Sequence, residues 1–590
     1  MKNQLRYCFP ILIFFLLLQS CSKTIEGELI ITNVNIIDVK TGVIKPNMDI
    51  VIDADKISSI LTHKNNTTYI SENIVEGSEK YLIPGLWDMH THTWWGYKDF
   101  FPLLLANGVT GVREMFGDLE TVKNIRTEIT LDSINGPIII SAGDIVDGDP
   151  PAMSGCDIAK TPEQGREIVR KQKANGADFI KVYNSLNRDV YFAIADECEK
   201  QNIVLTGHIP HKITLEEALN ANHASIEHFF GILDYCTDTK GLFTIDSLRK
   251  TRFNYIEHYK RSDYINKTYD KNKEKELIEL LSKNNAWICP TFTVHKGFIR
   301  QYDYYYEDDR TDYMPDYAMN GWFWIKDGDS ILSKGDSRML NIDKESYNLM
   351  ISLIKPLQDN GVNLLVGSDY ANPYTYPGFS LHEEMQILVE EAGLSPIEVL
   401  QGATINPAIF LKKDDDLGTI DLGKLANLVL LNKNPLDDIK NTQSIDAVIL
   451  NGKYLEGSKL KNDVDEIAIE NRKPKIKDVL YKIIEEKDVT SAINEYHKLK
   501  KSQPEYYNFT VGQLNSLGYQ LLEIKKTNEA IAIFKLNTRM FTEDANAFDS
   551  LGDAYIANND TINALTAYKN AVSKGLNISK SKIEALQKKE

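Results

Sequence analysis

Cysteine is sparse in this chain, six in 590 residues, and no pair of them has the close spacing of a zinc finger. Positive charge is short as well: 67 lysines and arginines stand against 84 aspartates and glutamates, a formal net charge of −17. That balance argues against nucleic acid or an anionic membrane face as the main partner. No proline, glycine or serine tract is long enough to mark a disordered body, and beyond the first twenty residues no run is apolar enough to cross a bilayer. With 42% hydrophobic and 26% charged residues, the composition is that of a globular protein. A single hydrophobic core does not extend over such a length, so roughly three to four folded units are expected.

The N-terminus departs from this pattern. Lys2 and Arg6 precede an apolar run from Phe9 to Leu18, broken by Pro10, that is short for a spanning helix and suits a signal-peptide core. The run ends in Leu18-Gln19-Ser20-Cys21, which resembles the bacterial lipobox. On that resemblance residues 1–20 are a leader and Cys21 is the lipidated first residue of an exported, membrane-anchored lipoprotein, on the periplasmic side or in the outer membrane of a bacterium. A conventional signal peptide that ends near a cysteine is the competing reading, and Gln19 is the unusual residue of the four. Cleavage removes Lys2 and Arg6 and no acid, which moves the net charge from −17 to −19. Cys156, Cys198, Cys236 and Cys289 remain, and no pairing follows from their positions.

Short β-rich runs at Leu29 to Val34, Asp49 to Ile52 and Ile57 to Leu61 alternate with turn residues. Similar runs return at Leu428 to Leu431 and Ala447 to Leu450, followed by the turn pair Asn451-Gly452. The expectation is a composite β-sandwich built from residues 21–80 and 417–457. Between them, over residues 81–416, strand-like runs (Gly111 to Arg113, Ile138 to Ser141, Phe179 to Tyr183, Val204 to Gly207, Leu364 to Val366) alternate with helical patterns, the rhythm of a (β/α)8 TIM-like barrel. Residues 236–350 interrupt that rhythm as a long insertion, aromatic around Tyr302 to Trp324, that reads either as a lid over the active face or as a surface excursion. In the C-terminal region, residues 475–590, Leu517-Gly518-Tyr519, Ala530 and Phe534 recur as Leu551-Gly552-Asp553, Ala564 and Tyr568, displaced by 34 residues. That is the tetratricopeptide period in an all-α region, and Ile476 to Tyr507 offers a further, degenerate helical pair. Such arrays often bind a protein partner, although the repeated residues here are packing ones.

His90 and His92 end the apolar run from Tyr81, and a His-x-His pair on a strand presents both imidazoles to one side. Taken alone, the pair fits a surface loop equally well. The wider pattern is similar to the amidohydrolase superfamily, in the branch of imidazolonepropionase-like enzymes and metal-dependent dipeptidases. The first-strand motif stands as Leu82-Ile83-Pro84-Gly85-Leu86-Trp87-Asp88-Met89-His90-Thr91-His92. Gly176-Ala177-Asp178-Phe179-Ile180-Lys181-Val182, Thr206-Gly207-His208, Ser225-Ile226-Glu227-His228 and Gly367-Ser368-Asp369 follow in order. The resemblance runs from Gly27 to Gly457. It departs at Asn427, where the family commonly has aspartate, and in the length of the insertion.

This resemblance implies a hydrolase with two divalent metal ions, zinc by its imidazole and carboxylate donors, and the lipobox resemblance implies that it is exported and lipid-anchored. Its ligands would be His90, His92, Lys181, His208, His228 and Asp369. Lys181 serves there only as an anionic carbamate made with carbon dioxide; outside the resemblance it reads as a strand-end lysine facing a carboxylate. Asp369 would be both ligand and proton shuttle while a metal-bridging hydroxide attacks an amide, a cyclic amide or a dipeptide-like bond. His211, close to His208 in sequence, is a candidate substrate contact. Two alternatives stay open: a mononuclear deaminase of the same superfamily, and a non-catalytic scaffolding lipoprotein built on the helical array.

Overall fold

The structure is a computed structural model that describes residues 24–153, 155–238, 241–242, 255–303, 306–319, 337–576 and 579–587. The leader, Cys21 and part of the aromatic stretch (residues 304, 305 and 320–324) lie outside the described residues.

Eight parallel strands carry the centre of the molecule: β1 (Leu86–Thr91), β2 (Val109–Glu114), β3 (Ile138–Ser141), β4 (Phe179–Val182), β5 (Val204–Gly207), β6 (His223–Glu227), β7 (Trp287–Cys289) and β8 (Asn363–Leu364). They pair as β1-β2-β3 and as β4-β5-β6-β7-β8, with Val146–Asp147 and Asp157–Ile158 added beside β4. Backbone contacts join the two sets at both edges. Asp178 N–H donates to Ser141 O at 2.8 Å, next to a parallel bridge between Ala142 and Phe179. At the other edge Met89 N–H reaches Val366 O at 2.9 Å and Asp369 N–H reaches His90 O at 2.8 Å. Every residue of β1, β2 and β4 is buried, as parallel strands covered on both faces require.

The expected single insertion, residues 236–350, needs correction. It contains β7, which pairs with Ser225 to Glu227 of β6 on one side and with β8 on the other. The chain leaves the sheet twice instead of once. After β6 it forms the helix Tyr255–Thr268, and after β7 it forms Phe292–Arg300 and two short 3-10 turns, Asp309–Tyr313 and Asp316–Met319. Three residues, Trp-Ile-Cys, are too few to display a period of two, so β7 leaves no periodic signature in the sequence.

The β-segments on either side of this core join edge to edge. Leu428–Leu431 lies antiparallel to Tyr81–Pro84, which in turn pairs with Leu29–Asp38, giving one mixed eight-stranded sheet. Its side chains alternate: Leu428 and Leu430 pack with Leu29, Ile50 and Ala447, whereas Val429 and Leu431 turn to the α/β core.

Beyond Glu456 the described chain is helical. Gly457–Arg472 packs on the helix Tyr97–Ala106 and on the turn Asp309–Tyr313. Helical pairs follow at Ile476–Glu486 with Val489–Ser502, Val511–Glu523 with Thr527–Met540, and Ala545–Ala557 with Thr561–Ser573. The 34-residue recurrence has a packing cause. A Cβ on Gly518 would lie 2.4 Å from the Phe534 ring, and one on Gly552 2.3 Å from the Tyr568 ring, so each small residue admits the aromatic of its partner helix.

Candidate metal centre at the strand ends

Backbone geometry brings the side chains together before any polar contact does. Gly367 follows β8 and lies against β1: an added Cβ would sit 2.7 Å from His90 N and 2.6 Å from Cys289 Sγ. Next to it Asp88 accepts from Ser368 N–H at 2.9 Å and from the Ser368 hydroxyl at 2.5 Å. This lock sets Asp369 over the end of β1. Asp369 (φ 52°) and His228 (φ 55°) both hold left-handed backbone conformations that are costly for non-glycine residues, a cost that clusters at functional sites.

His90, His92 and Asp369 converge tightly enough to offer three ligand atoms within 4.8 Å of one another. His92 Nε2 is 3.0 Å from Asp369 Oδ1, and His90 Nε2 is 3.6 Å from the same oxygen. Lys181 Nζ lies 3.3 Å from His90 Nε2. His228 Nε2 is 3.8 Å from Asp369 Oδ2, and the His228 ring centroid is 4.5 Å from that of His90 and 5.0 Å from that of His208. The six expected ligands thus meet at one pole of the parallel strands. His211 is not among the residues that line the adjoining cavity, and its backbone N–H donates to Asn184 O at 3.1 Å.

Three of the imidazoles are aimed by a partner on the far nitrogen. His208 Nδ1 meets Asn184 Oδ1 at 2.8 Å, and its ring is sandwiched between Tyr183 and Phe230 at centroid distances of 4.0 and 4.1 Å. His228 Nδ1 meets Thr291 Oγ1 at 2.6 Å, and His90 Nδ1 meets Glu227 Oε2 at 2.9 Å. Glu227 is held in turn by Arg113, whose Nη2 reaches both carboxylate oxygens at 2.8 and 2.9 Å, and by the Ser225 hydroxyl at 2.6 Å. Arg113 and Glu227 are fully buried, and removing one member of such a pair costs about 3–5 kcal/mol. Sequence reasoning misses this brace, although two opposite charges inside apolar strand runs are a visible signal.

The electrostatics favour neutral ligands. Burial holds His90, His208 and His228 well below the ordinary histidine pKa, with neighbouring positive groups adding to the effect. His92 is the exception: burial opposes its charge, but its bonds to Asp369 and Glu114 raise it. Burial also lowers the Lys181 ammonium pKa. Asp369, Glu227 and Glu114 oppose that shift, although among the described residues no carboxylate forms a direct ion pair with the lysine.

One atom tests directly whether a metal suits this donor set. His208 Nε2 is buried on the site side with no hydrogen-bond partner, an arrangement that costs about 1–3 kcal/mol unless a ligand satisfies it. With neutral imidazoles beside a carboxylate, the residues fit a divalent cation of zinc type. A cavity of about 390 Å³ opens next to the centre, reached by His208, His228 and Asp369 and walled by Phe230, Ile265 and Phe298. Four other histidines serve the scaffold or face outward. His223 bonds Tyr191 and Gly207 O, His382 bridges Thr442 and Asn107 O, His63 joins Asp49 and Tyr69, and His497 is exposed. His295 lines the cavity. Cys156, Cys198, Cys236 and Cys289 are free thiols.

Comparison with known proteins agrees with this geometry. The model of the amidohydrolase family matches residues 335–455. Ochratoxinase from Aspergillus niger is 24% identical over 431 residues, covering 62% of this chain and 73% of that one. Imidazolonepropionase from Treponema denticola is 28% identical over 135 residues, 22% of this chain and 32% of its own. Among solved structures, an Xaa-Pro dipeptidase with bound methionine superposes with a TM-score of 0.53 at 19% identity, over 74% of this chain and all of its own. The amidohydrolase-family match over residues 335–455 and the relatives among amidohydrolases support a metal-dependent hydrolase of that superfamily, and the dipeptidase shares its fold.

Proposed function

We propose that this protein is an exported, lipid-anchored binuclear amidohydrolase that cleaves an amide, cyclic amide or dipeptide-like carbon–nitrogen bond at the pole of a closed (β/α)8 barrel. The carrying observation is the convergence of His90, His92, Lys181, His208, His228 and Asp369, with His208 Nε2 buried and unpartnered among the described residues. The backbone bonds at both edges of the parallel strands support barrel closure. The 34-residue recurrence supports a tetratricopeptide reading of the C-terminal helices, which would leave them free to meet a protein partner. Anchoring rests on the lipobox-like ending at Cys21; among the described residues no helix is long and apolar enough to cross a membrane.

The six residues would hold two divalent cations, zinc by the donor set, and these would lower the pKa of water and polarise the scissile carbonyl. Asp369 takes the proton that the attacking water loses, carries it the short distance across the site and delivers it to the departing nitrogen. Lys181 acts as a carbamate: its neutral amine adds to carbon dioxide, an N–C bond forms, a proton leaves, and a lysine becomes an anionic oxygen donor. The aromatic sandwich around His208 and the Glu227–Arg113 brace behind His90 keep the imidazoles from turning. The test is a hydrolysis screen of N-acyl amino acids, dipeptides and cyclic ureides with metal-loaded protein. Turnover of one such class with release of an amine or carboxylate is expected. Ammonia release from an aminated heterocycle, or no turnover at all, would overturn the reading.

A further inference from the structure

The cavity beside the metal centre is lined not only by His208, His228 and Asp369 but also by apolar side chains that include Leu233, Ile265, Val294 and Met350, and by residues of the helices Tyr255–Thr268 and Ser337–Asp359. Besides Asp369, the charged groups Asp234, Arg261 and Asp343 line it. Arg261 is already matched, since its guanidinium bonds the carboxylate of Asp234, which also lines the cavity. Asp343 is not matched in this way. The Tyr259 hydroxyl donates to its Oδ2 at 3.2 Å and Tyr302 supplies a second side-chain bond, but among the described residues no cation pairs with it. Tyr259 and Tyr302 also bond each other through their hydroxyls, which ties the three side chains into one cluster.

A carboxyl group with hydroxyl partners, largely withdrawn from water and facing a cavity, has an unmet preference for positive charge. A buried carboxylate gains most from a cation that donates a charge-assisted hydrogen bond. The apolar side chains of the same lining, among them Ile265, Val294 and Met350, suit a methylene stem that buries its carbons and presents charge only at its tip. We infer that Asp343, Tyr259 and Tyr302 form a specificity subsite for a substrate whose side chain carries a cationic nitrogen at the end of an aliphatic stem, of lysine or arginine type. The inference rests on the amide-hydrolase reading of the same cavity. It adds a determinant from the two excursions around β7, outside every motif of the strand ends.

The subsite is tested by binding, separately from turnover. Nα-acetyl-lysine and Nα-acetyl-norleucine share backbone and stem and differ in the terminal ammonium. Calorimetric titration of the metal-loaded full chain should show the lysine compound binding at least tenfold more tightly. In Asp343→Asn that preference should fall to threefold or less, and Tyr259→Phe should reduce it by a smaller factor. Metal content at the wild-type level shows that each variant still holds its fold. If the asparagine variant fails that control, the phenylalanine variant carries the test, and an undiminished preference in it overturns the subsite. Equal binding of the two compounds by the wild type, no binding of the lysine compound, or a preference that survives Asp343→Asn also overturns it. A preference that is present and lost as expected, with no amide in the screen hydrolysed, supports the subsite while sinking the hydrolase reading.

Discussion

The pole of the parallel strands and the C-terminal helices are built on opposite principles. At the pole the contacts that matter are distant in sequence: His90 meets Glu227 across 137 residues, and Asp88 meets Ser368 across 280. In the helices the determining contacts are local, such as Gly552 receiving Tyr568 from the next helix. Buried charge and unpartnered nitrogen collect at the pole, whereas the helical core is leucine, isoleucine, alanine and aromatic rings. The unpartnered side-chain atoms of the helices are oxygens, of Tyr496, Gln513, Asn515, Ser516 and Asn537, whereas those of the pole include the imidazole nitrogens of His92 and His208. The two meet where Lys477 pairs with Asp316 at 2.8 Å and Asn471 donates to Asp312 O at 2.9 Å, so the helices brace a turn of the α/β body.

The sharpest way to break this contrast is at Asp369. Asp369→Asn keeps the shape but cannot take a proton, so turnover should fall by about 10²-fold to 10⁴-fold while much of the metal stays bound. Near-normal turnover, read by steady-state kinetics, would remove the proton shuttle. Lys181→Ala should act on the other quantity: metal content falls, and a short carboxylate added to the buffer partly restores the rate. Full metal content and an unchanged rate in that variant would remove the carbamate.

A third prediction uses pH. Burial holds His223 and His382 at a pKa of about 4, against 6.5 for an exposed imidazole. The unfolded chain therefore takes up protons first on acidification. Their stabilising contribution is complete above pH 6.5 and is lost as the pH falls toward 4, by up to about 3 kcal/mol for each residue. Both lie in the α/β body, while His497 of the helices is exposed. Hydrogen exchange resolved by segment should show His382→Gln losing less protection in the α/β body than the wild type as the pH falls from about 6.5 to about 4, with the helices unaffected by the substitution. The same pH trend in variant and wild type would contradict it.

The smallest effects come from a matched pair of glycines. Gly367→Ala and Gly552→Ala each press a methyl into occupied space, at about 1–3 kcal/mol. Only the first displaces His90, so only it should lower metal content. Metal loss in Gly552→Ala would mean that the helices shape the centre as well as brace the body.

Much of this arrangement is readable in the sequence because its signals are local. The β-rich run Leu428–Leu431, the run Ile138–Ser141 and the repeat Gly518 with Phe534 each fit inside a short window. The ligand motifs can be read because each sits at the end of such a run. What stays hidden is long-range or very short. β7 has only three residues, the Arg113–Glu227 brace joins two strands 114 residues apart, and the cluster of Asp343 with Tyr259 depends on helices that meet only in three dimensions. No periodicity encodes those meetings; they follow from which strand neighbours which.

The central claim is metal-dependent hydrolysis by a two-cation centre, and the most direct measurement is metal content per chain of the purified full-length protein, followed alongside hydrolysis through chelation and reloading. The account predicts about two equivalents of divalent metal, a rate that vanishes as they are withdrawn, and recovery on zinc addition. Full hydrolysis with no bound metal would contradict metal dependence, and full hydrolysis with a single equivalent would contradict the paired centre.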